Sequence, residues 1–118
     1  MFQGLRTVIY PAPDLDAAKE WWSSVLGQQP YFDEPYYVGF NVGGYELGLD
    51  PNGDPEYGSI TYWGVPNIED VMGVLMGGGA QPHSDISDVG DGIRVATVLS
   101  PTGNLVGVIE NPHFELPE

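Results

Sequence analysis

The sequence predicts an α+β domain built from two βαβββ modules in tandem, spanning residues 1–55 and 56–118. Three observations carry that expectation. The chain has 118 residues, enough for one domain with a core of its own. Its apolar residues switch between two-residue and helical spacing along the chain. The same order of elements then occurs twice.

Residues 5–10 are rich in β-formers, and Pro11, Ala12 and Pro13 stop the run. Asp14 has the character of an N-cap, because its side chain can accept from the free amides of a first helical turn. Leu15, Ala18, Trp22, Val25 and Leu26 follow at helical spacing, and Gly27 supplies the left-handed stop. Residues 36–42 read as a strand, Gly43 and Gly44 as a tight turn, and residues 45–49 as the hairpin partner. Alternation puts Tyr45, Leu47 and Leu49 on one face of that partner and Glu46, Gly48 and Asp50 on the other.

The second pass begins with a strand at residues 59–63. Asn67 caps a helix with the stripe Ile68, Val71, Met72 and Leu75, which ends at Gly77, Gly78 and Gly79. Strands at residues 93–99 and 105–109 flank a turn at Pro101, Thr102, Gly103 and Asn104. Weaker strand signals precede each hairpin, near residues 28–32 and 81–87. Matching phrases tie the halves together. Gly4-Leu5-Arg6-Thr7 answers Gly58-Ser59-Ile60-Thr61, and Pro13-Asp14-Leu15 answers Pro66-Asn67-Ile68. The second copy carries about six more residues before its hairpin, expected in an Asp-rich loop over 85–92.

Composition narrows the function. Three Lys and Arg against 17 Asp and Glu give a net charge of −14. Arg6, Lys19 and Arg94 are scattered, so neither nucleic acid nor an anionic membrane is an expected partner. An anionic substrate meets an adverse field, whereas a neutral or cationic small molecule does not. No Cys is present, which excludes disulfides, thiolate metal sites and Cys nucleophiles and fits a cytoplasmic location. The opening MFQGLRTVIY runs straight into a strand, so no signal peptide is expected, and no apolar run reaches the ~20 residues of a membrane span. The 17 Gly and 11 Pro are dispersed and act as punctuation, not as a linker.

The phrases Pro13-Asp14-Leu15-Asp16-Ala17-Ala18, Trp21-Trp22 and Leu26-Gly27 resemble the vicinal oxygen chelate superfamily, which includes glyoxalase I, extradiol dioxygenases, fosfomycin-resistance enzymes and bleomycin resistance proteins. So do Val65-Pro66-Asn67-Ile68-Glu69-Asp70, Leu99-Ser100-Pro101-Thr102-Gly103-Asn104 and Val108-Ile109-Glu110-Asn111-Pro112. The resemblance covers nearly the whole chain. It implies a cup-shaped open sheet with the helices outside, and a homodimer whose cavity lies near or across the interface.

The resemblance also implies a divalent metal held by His, Gln or Glu on the first and last strands of each half, acting as a Lewis acid on paired substrate oxygens. The corresponding first-strand positions here are Thr7 and Ile60, or Thr61 if the register slips by one. The last-strand positions are Gly48 and Gly107. Glycine offers no side chain, isoleucine no lone pair, and threonine is a poor ligand. The sequence departs from the enzymatic pattern at each position, so no metal and no cofactor are expected. The two missing side chains are expected to enlarge the cavity or to admit a ligand close to the backbone.

Glu46 shares the face of Gly48 and can hold a cation or act as a base. Tyr62 shares parity with Ile60, so the resemblance sends it inward and Trp63 to the helix side. Only one of Tyr36 and Tyr37 can face the cavity. His83, expected in a loop, and His113, in the tail, have no clear carboxylate partner, and the stretch from Asp50 to Asp54 reads as a turn. The expected function is metal-independent binding of a neutral or cationic small molecule at Thr7, Glu46, Gly48, Ile60, Tyr62 and Gly107, without catalysis. The alternative is a lyase or isomerase related to glyoxalase I, with a displaced metal site built from Glu46, Glu110 or the two His. Glu110 has the wrong strand parity for that, relative to Gly107. A structural or regulatory dimer with no ligand is the third possibility.

Overall fold

The computed structural model describes residues 2–113. In chain order it contains β1 (Gly4–Pro11), α1 (Leu15–Leu26), β2 (Phe32–Glu34), β3 (Tyr37–Val42), β4 (Tyr45–Asp50), a 3-10 turn (Pro55–Tyr57), β5 (Ile60–Gly64), α2 (Ile68–Gly77), β6 (Gln81–Asp88), β7 (Arg94–Leu99) and β8 (Leu105–Glu110). The fold is α+β, with two helices and eight strands in mixed sheet. The chain divides into two compact units. One comprises residues 7–60, and the other comprises residue 61 onward together with the segment up to Arg6.

In the unit of residues 7–60 the strand order is β2-β3-β4-β1. Gly43 and Gly44 both take positive φ, 61° and 92°, as a two-residue turn matched to the strand twist requires. They set β3 and β4 antiparallel, with Asn41 opposite Glu46 and Gly39 opposite Gly48. β1 runs parallel to β4, a pairing that needs a crossover, and α1 lies within that connection. Asp14 accepts from Ala17 N at 3.1 Å, and Gly27 closes the helix in the left-handed region at φ 69°. The core forms on one face of the sheet, where Val38, Phe40 and Leu49 are buried with Ala12 and packed against Leu15, Ala18, Trp22, Leu26 and Leu47. Trp22 stacks on Tyr10 with ring centroids 5.6 Å apart. Trp21, one step off the stripe, is 58% exposed.

The other unit has the order β5-β8-β7-β6, again with one parallel pair, β5 with β8. Its core is Val65, Ile68, Val71, Met72, Ala96, Val98 and Val108. Asn67 caps α2 by accepting from Asp70 N at 3.0 Å. Glu110 adds a second acceptor there, taking Ile68 N at 3.1 Å on one oxygen and Arg94 at 2.8 Å on the other. A carboxylate at a helix N-terminus also meets the favourable end of the dipole. Arg94 continues to Glu69 at 2.7 Å and holds that carboxyl below the usual carboxylate range.

Two expectations are corrected. The strand near residues 28–32 is shorter and later, only Phe32–Glu34. The weak strand signal near residues 81–87 is β6, and the Asp-rich loop expected over 85–92 is shorter, because β6 runs on through Asp88 and only residues 89–92 turn, with register shifts at Pro82/Ser84 and Ser84/Ser87. Pro82 lacks an amide to donate, and the bulges absorb the irregularity. His83 therefore lies on a strand.

Candidate functional site

Side chains alternate across a strand, so Thr7, Gly39, Asn41, Glu46 and Gly48 face away from the Phe40 and Leu49 core and from α1. Glu46 is the centre of this helix-free face. It is half-buried, and three hydroxyls converge on its carboxylate. Tyr37 donates to Oε1 at 2.8 Å and Thr7 donates to the same oxygen at 3.2 Å. Tyr31 donates to Oε2. Hydrogen bonds to a charged acceptor are the stronger kind, so this carboxylate is firmly oriented.

The glycines make the arrangement possible. A Cβ on Gly48 would stand 1.9 Å from the Tyr37 hydroxyl and 2.6 Å from its Cζ. A Cβ on Gly39 would stand 2.9 Å from Glu46 Oε2 and 3.1 Å from Tyr31 Cε1. The bare backbone at 39 and 48 is thus the surface on which the two phenols lie. This corrects the expectation that Gly48 leaves open volume: the space is taken by Tyr37. Thr7 pairs with Glu46, not with Gly48, which pairs with Ile9. The last-strand residue opposite Thr7 is therefore an acid.

Tyr31 is the least enclosed of the three donors. It precedes β2, is 62% exposed, and is tied by its own amide to Gly39 O at 3.0 Å. Partial burial of its hydroxyl, followed by the hydrogen bond to Glu46, pushes its phenol well above the ordinary tyrosine range. A folded-state value above the unfolded one means that this contribution to stability is full below the ordinary tyrosine value near 10 and is lost as pH rises toward the folded value. Absorbance titration of phenolate is expected to show one late tyrosine in the wild type that is missing in Tyr31→Phe. Identical curves would remove Tyr31 from the cluster.

On the helix-free face of the other unit, Tyr62 pairs with Gly107, and Gly107 pairs with Thr97. The Tyr62 ring covers Gly107, where a Cβ would stand 2.5 Å from Cδ1, so this glycine too is filled and not open. Thr97 is buried, with His83 Nδ1 at 2.9 Å and Ser84 Oγ at 2.6 Å from its hydroxyl, and its amide donates to Ser84 Oγ at 3.0 Å. Ile60, half-buried, opens β5 with the parity of Tyr62. Trp63 has the opposite parity and meets Phe2 edge-on at 5.6 Å. Glu110, on the parity of Val108, is engaged by Arg94 and α2 and faces the helix side. His113 Nε2 lies 2.9 Å from Asp91 O.

A divalent metal does not fit these residues. Glu46 is joined by hydroxyls, not by a second carboxylate or imidazole, and Tyr62 and Gly107 occupy the paired first- and last-strand positions of the other unit. Among the described residues no group of three His, Cys, Asp or Glu could hold a metal ion. Tyr31 and Tyr37 are the residues that sequence reasoning missed as partners of Glu46. For Tyr37 a signal existed, because the Gly43-Gly44 turn sets the hairpin register and shows that residues 37, 39, 41, 46 and 48 share a face. For Tyr31 there was none.

The fold is similar to that of solved vicinal oxygen chelate proteins, among them a glyoxalase/bleomycin resistance protein/dioxygenase superfamily member and methylmalonyl-CoA epimerases. A superfamily member from Vibrio splendidus matches with a TM-score of 0.70 at 18% identity, covering 91% of this chain and 99% of that one. A methylmalonyl-CoA epimerase in complex with methylmalonyl-CoA and ammonium matches with a TM-score of 0.74 at 16% identity, over 99% and 100% of the two chains. The methylmalonyl-CoA epimerase from Mycobacterium tuberculosis matches at 0.67 and 17%, over 92% and 88%. At such identities the likeness is one of fold. No protein-family model and no curated protein matches the sequence. No described helix is long and apolar enough to cross a membrane.

Proposed function

We propose that this protein binds a small neutral or cationic molecule on the helix-free face that carries Glu46, without a metal and without catalysing its conversion, and that it works as a homodimer. The observation that carries the reading is the half-buried Glu46 carboxylate, oriented by the hydroxyls of Thr7, Tyr31 and Tyr37 above two glycines. The phenols around it offer ring surface to an organic guest, through stacking and cation–π contact. The charge balance favours the same ligand class. The net charge is −14, and Lys19 and Arg94 are each occupied by carboxylates, at 3.2 Å from Asp33 and 2.8 Å from Glu110. That similar folds hold small molecules such as methylmalonyl-CoA supports binding in general. An anionic acyl-CoA, however, meets an adverse field here. The Tyr62 ring over Gly107, with Ile60 on the same parity, is proposed as a contact surface in its own right, and Thr7 lines the face that carries Glu46.

Two measurements test the reading. Elemental analysis of untagged protein is expected to find no stoichiometric Zn, Ni, Fe or Mn. About one such ion per chain would overturn it. Calorimetric screening with basic aromatic compounds is expected to yield binders whose affinity falls roughly ten- to hundredfold in Glu46→Gln, in line with a charge-assisted contact of ~1.5–3 kcal/mol. Equal affinity in the variant would exclude Glu46 from the site.

A further inference from the structure

The two oxygens of Glu46 differ. Oε1 already receives two donors, Tyr37 at 2.8 Å and Thr7 at 3.2 Å, which fill its two in-plane lone pairs. Oε2 receives Tyr31, and the backbone next to it is Gly39, with no side chain to cover that oxygen. The donors differ as well. Thr7 is buried within β1, and Tyr37 is half-buried with its ring seated over Gly48. Tyr31 stands outside the strands and is 62% exposed, so its hydroxyl can return to water. Leaving Glu46 therefore costs Tyr31 less than it would cost either of the others.

We infer that Oε2 of Glu46 is the atom that receives the ligand, that the ligand is a protonated amine bearing N–H donors, and that it binds by taking the place of the Tyr31 hydroxyl. The inference rests on the binding function proposed above and assigns Tyr31 the role of an exchangeable competitor that sets specificity. A donor-bearing cation restores the hydrogen bond that Tyr31 gives up, and the displaced phenol ring, still tethered by its amide to Gly39 O, remains beside the cation. A quaternary ammonium carries the same charge but leaves the vacated carboxylate lone pair without a donor. A neutral aromatic does neither.

The experiment is calorimetric titration at neutral pH with two probes, benzylammonium and benzyltrimethylammonium. The proteins are the wild type, Tyr31→Phe, Tyr37→Phe and Glu46→Gln. Benzylammonium is expected to bind the wild type, and to bind Tyr31→Phe about tenfold more tightly because the competing hydroxyl is gone while the ring remains. Tyr37→Phe, acting on the other oxygen, is expected to give no such gain. Glu46→Gln is expected to lose binding, and benzyltrimethylammonium is expected to bind the wild type at least about tenfold more weakly than benzylammonium. Weaker or unchanged binding in Tyr31→Phe, with Glu46→Gln still impaired, overturns the exchange and leaves the binding function standing. Equal affinity for the two probes overturns the requirement for N–H donors. No binding of benzylammonium to the wild type or to Tyr31→Phe overturns the amine assignment. If the basic aromatic compounds of the wider screen fail as well, the binding function falls with it.

Discussion

Replacing Gly48 with Ala is expected to lower stability by about 2–3 kcal/mol, in the range of an overpacked interior, and to weaken ligand binding by about tenfold or more. The new Cβ would fall 1.9 Å from the Tyr37 hydroxyl, 2.6 Å from its Cζ and 2.9 Å from its Cε1, so the ring cannot stay where it is. Its departure breaks the 2.8 Å bond to Glu46 Oε1 and loosens the carboxylate on which the proposed binding function rests. Two comparisons separate this cause from a general intolerance of alanine. Gly73→Ala, in α2 with nothing within 4 Å of its Cβ, should be neutral or stabilising by about 0.5–1 kcal/mol. Tyr37→Ala should make the second substitution, Gly48→Ala, nearly free, because the clashing ring is gone and the effects of touching residues do not add. Urea unfolding of the four variants reads both. Additive losses in the double variant would show that Tyr37 does not lie over Gly48.

Phe40→Ala carries the largest expected stability loss, about 3–5 kcal/mol, typical of a phenylalanine removed from a close-packed core. Phe40 is 0% exposed and belongs to the cluster of Ala12, Val38 and Leu49, against which the α1 residues Leu15, Ala18, Trp22 and Leu26 pack. The cavity cannot collapse easily, because β3 is held between β2 and β4 by backbone pairing. The measurable result is a fall in the urea midpoint with little change in slope. The core face and the site face are opposite sides of the same strands, so Phe40→Ala also tests their independence. A variant that stays folded at low temperature should still bind a ligand of Glu46 with near wild-type affinity. A loss below about 1 kcal/mol would mean that α1 is held by something other than this core.

Much of the fold was legible in the sequence. The helix caps Asp14 and Asn67, the stop at Gly27 and the Gly43-Gly44 hairpin are local events, each decided by neighbouring residues. The stripe of Leu15, Ala18, Trp22 and Leu26, though not the exposed Val25, and the alternation of β4 placed the core faces, and parity placed Glu46 away from Leu47 and Leu49. The same parity put Glu110 with Val108 on the helix side. The strand near 81–87 is there as β6, but the sequence expects the loop to begin too early, because Asp85, Ser87 and Asp88 have turn chemistry and pairing with β7 overrides that local preference.

The sequence by itself therefore determined the α+β class, the order of its helices and main strands, the faces of those strands, the acidic charge and the acid at position 46. Only the tertiary structure decided what Glu46 touches. Thr7 faces it through a parallel pairing, and parallel strands have no connecting turn to set their register, so the partner cannot be counted off from a loop. Tyr31 reaches it from outside the strands, where no periodicity applies. The glycines at 48 and 107 looked like empty space because a sequence shows a missing side chain but not the neighbour that fills it. Close packing puts Tyr37 on one and Tyr62 on the other, so each apparent vacancy is the seat of an aromatic ring.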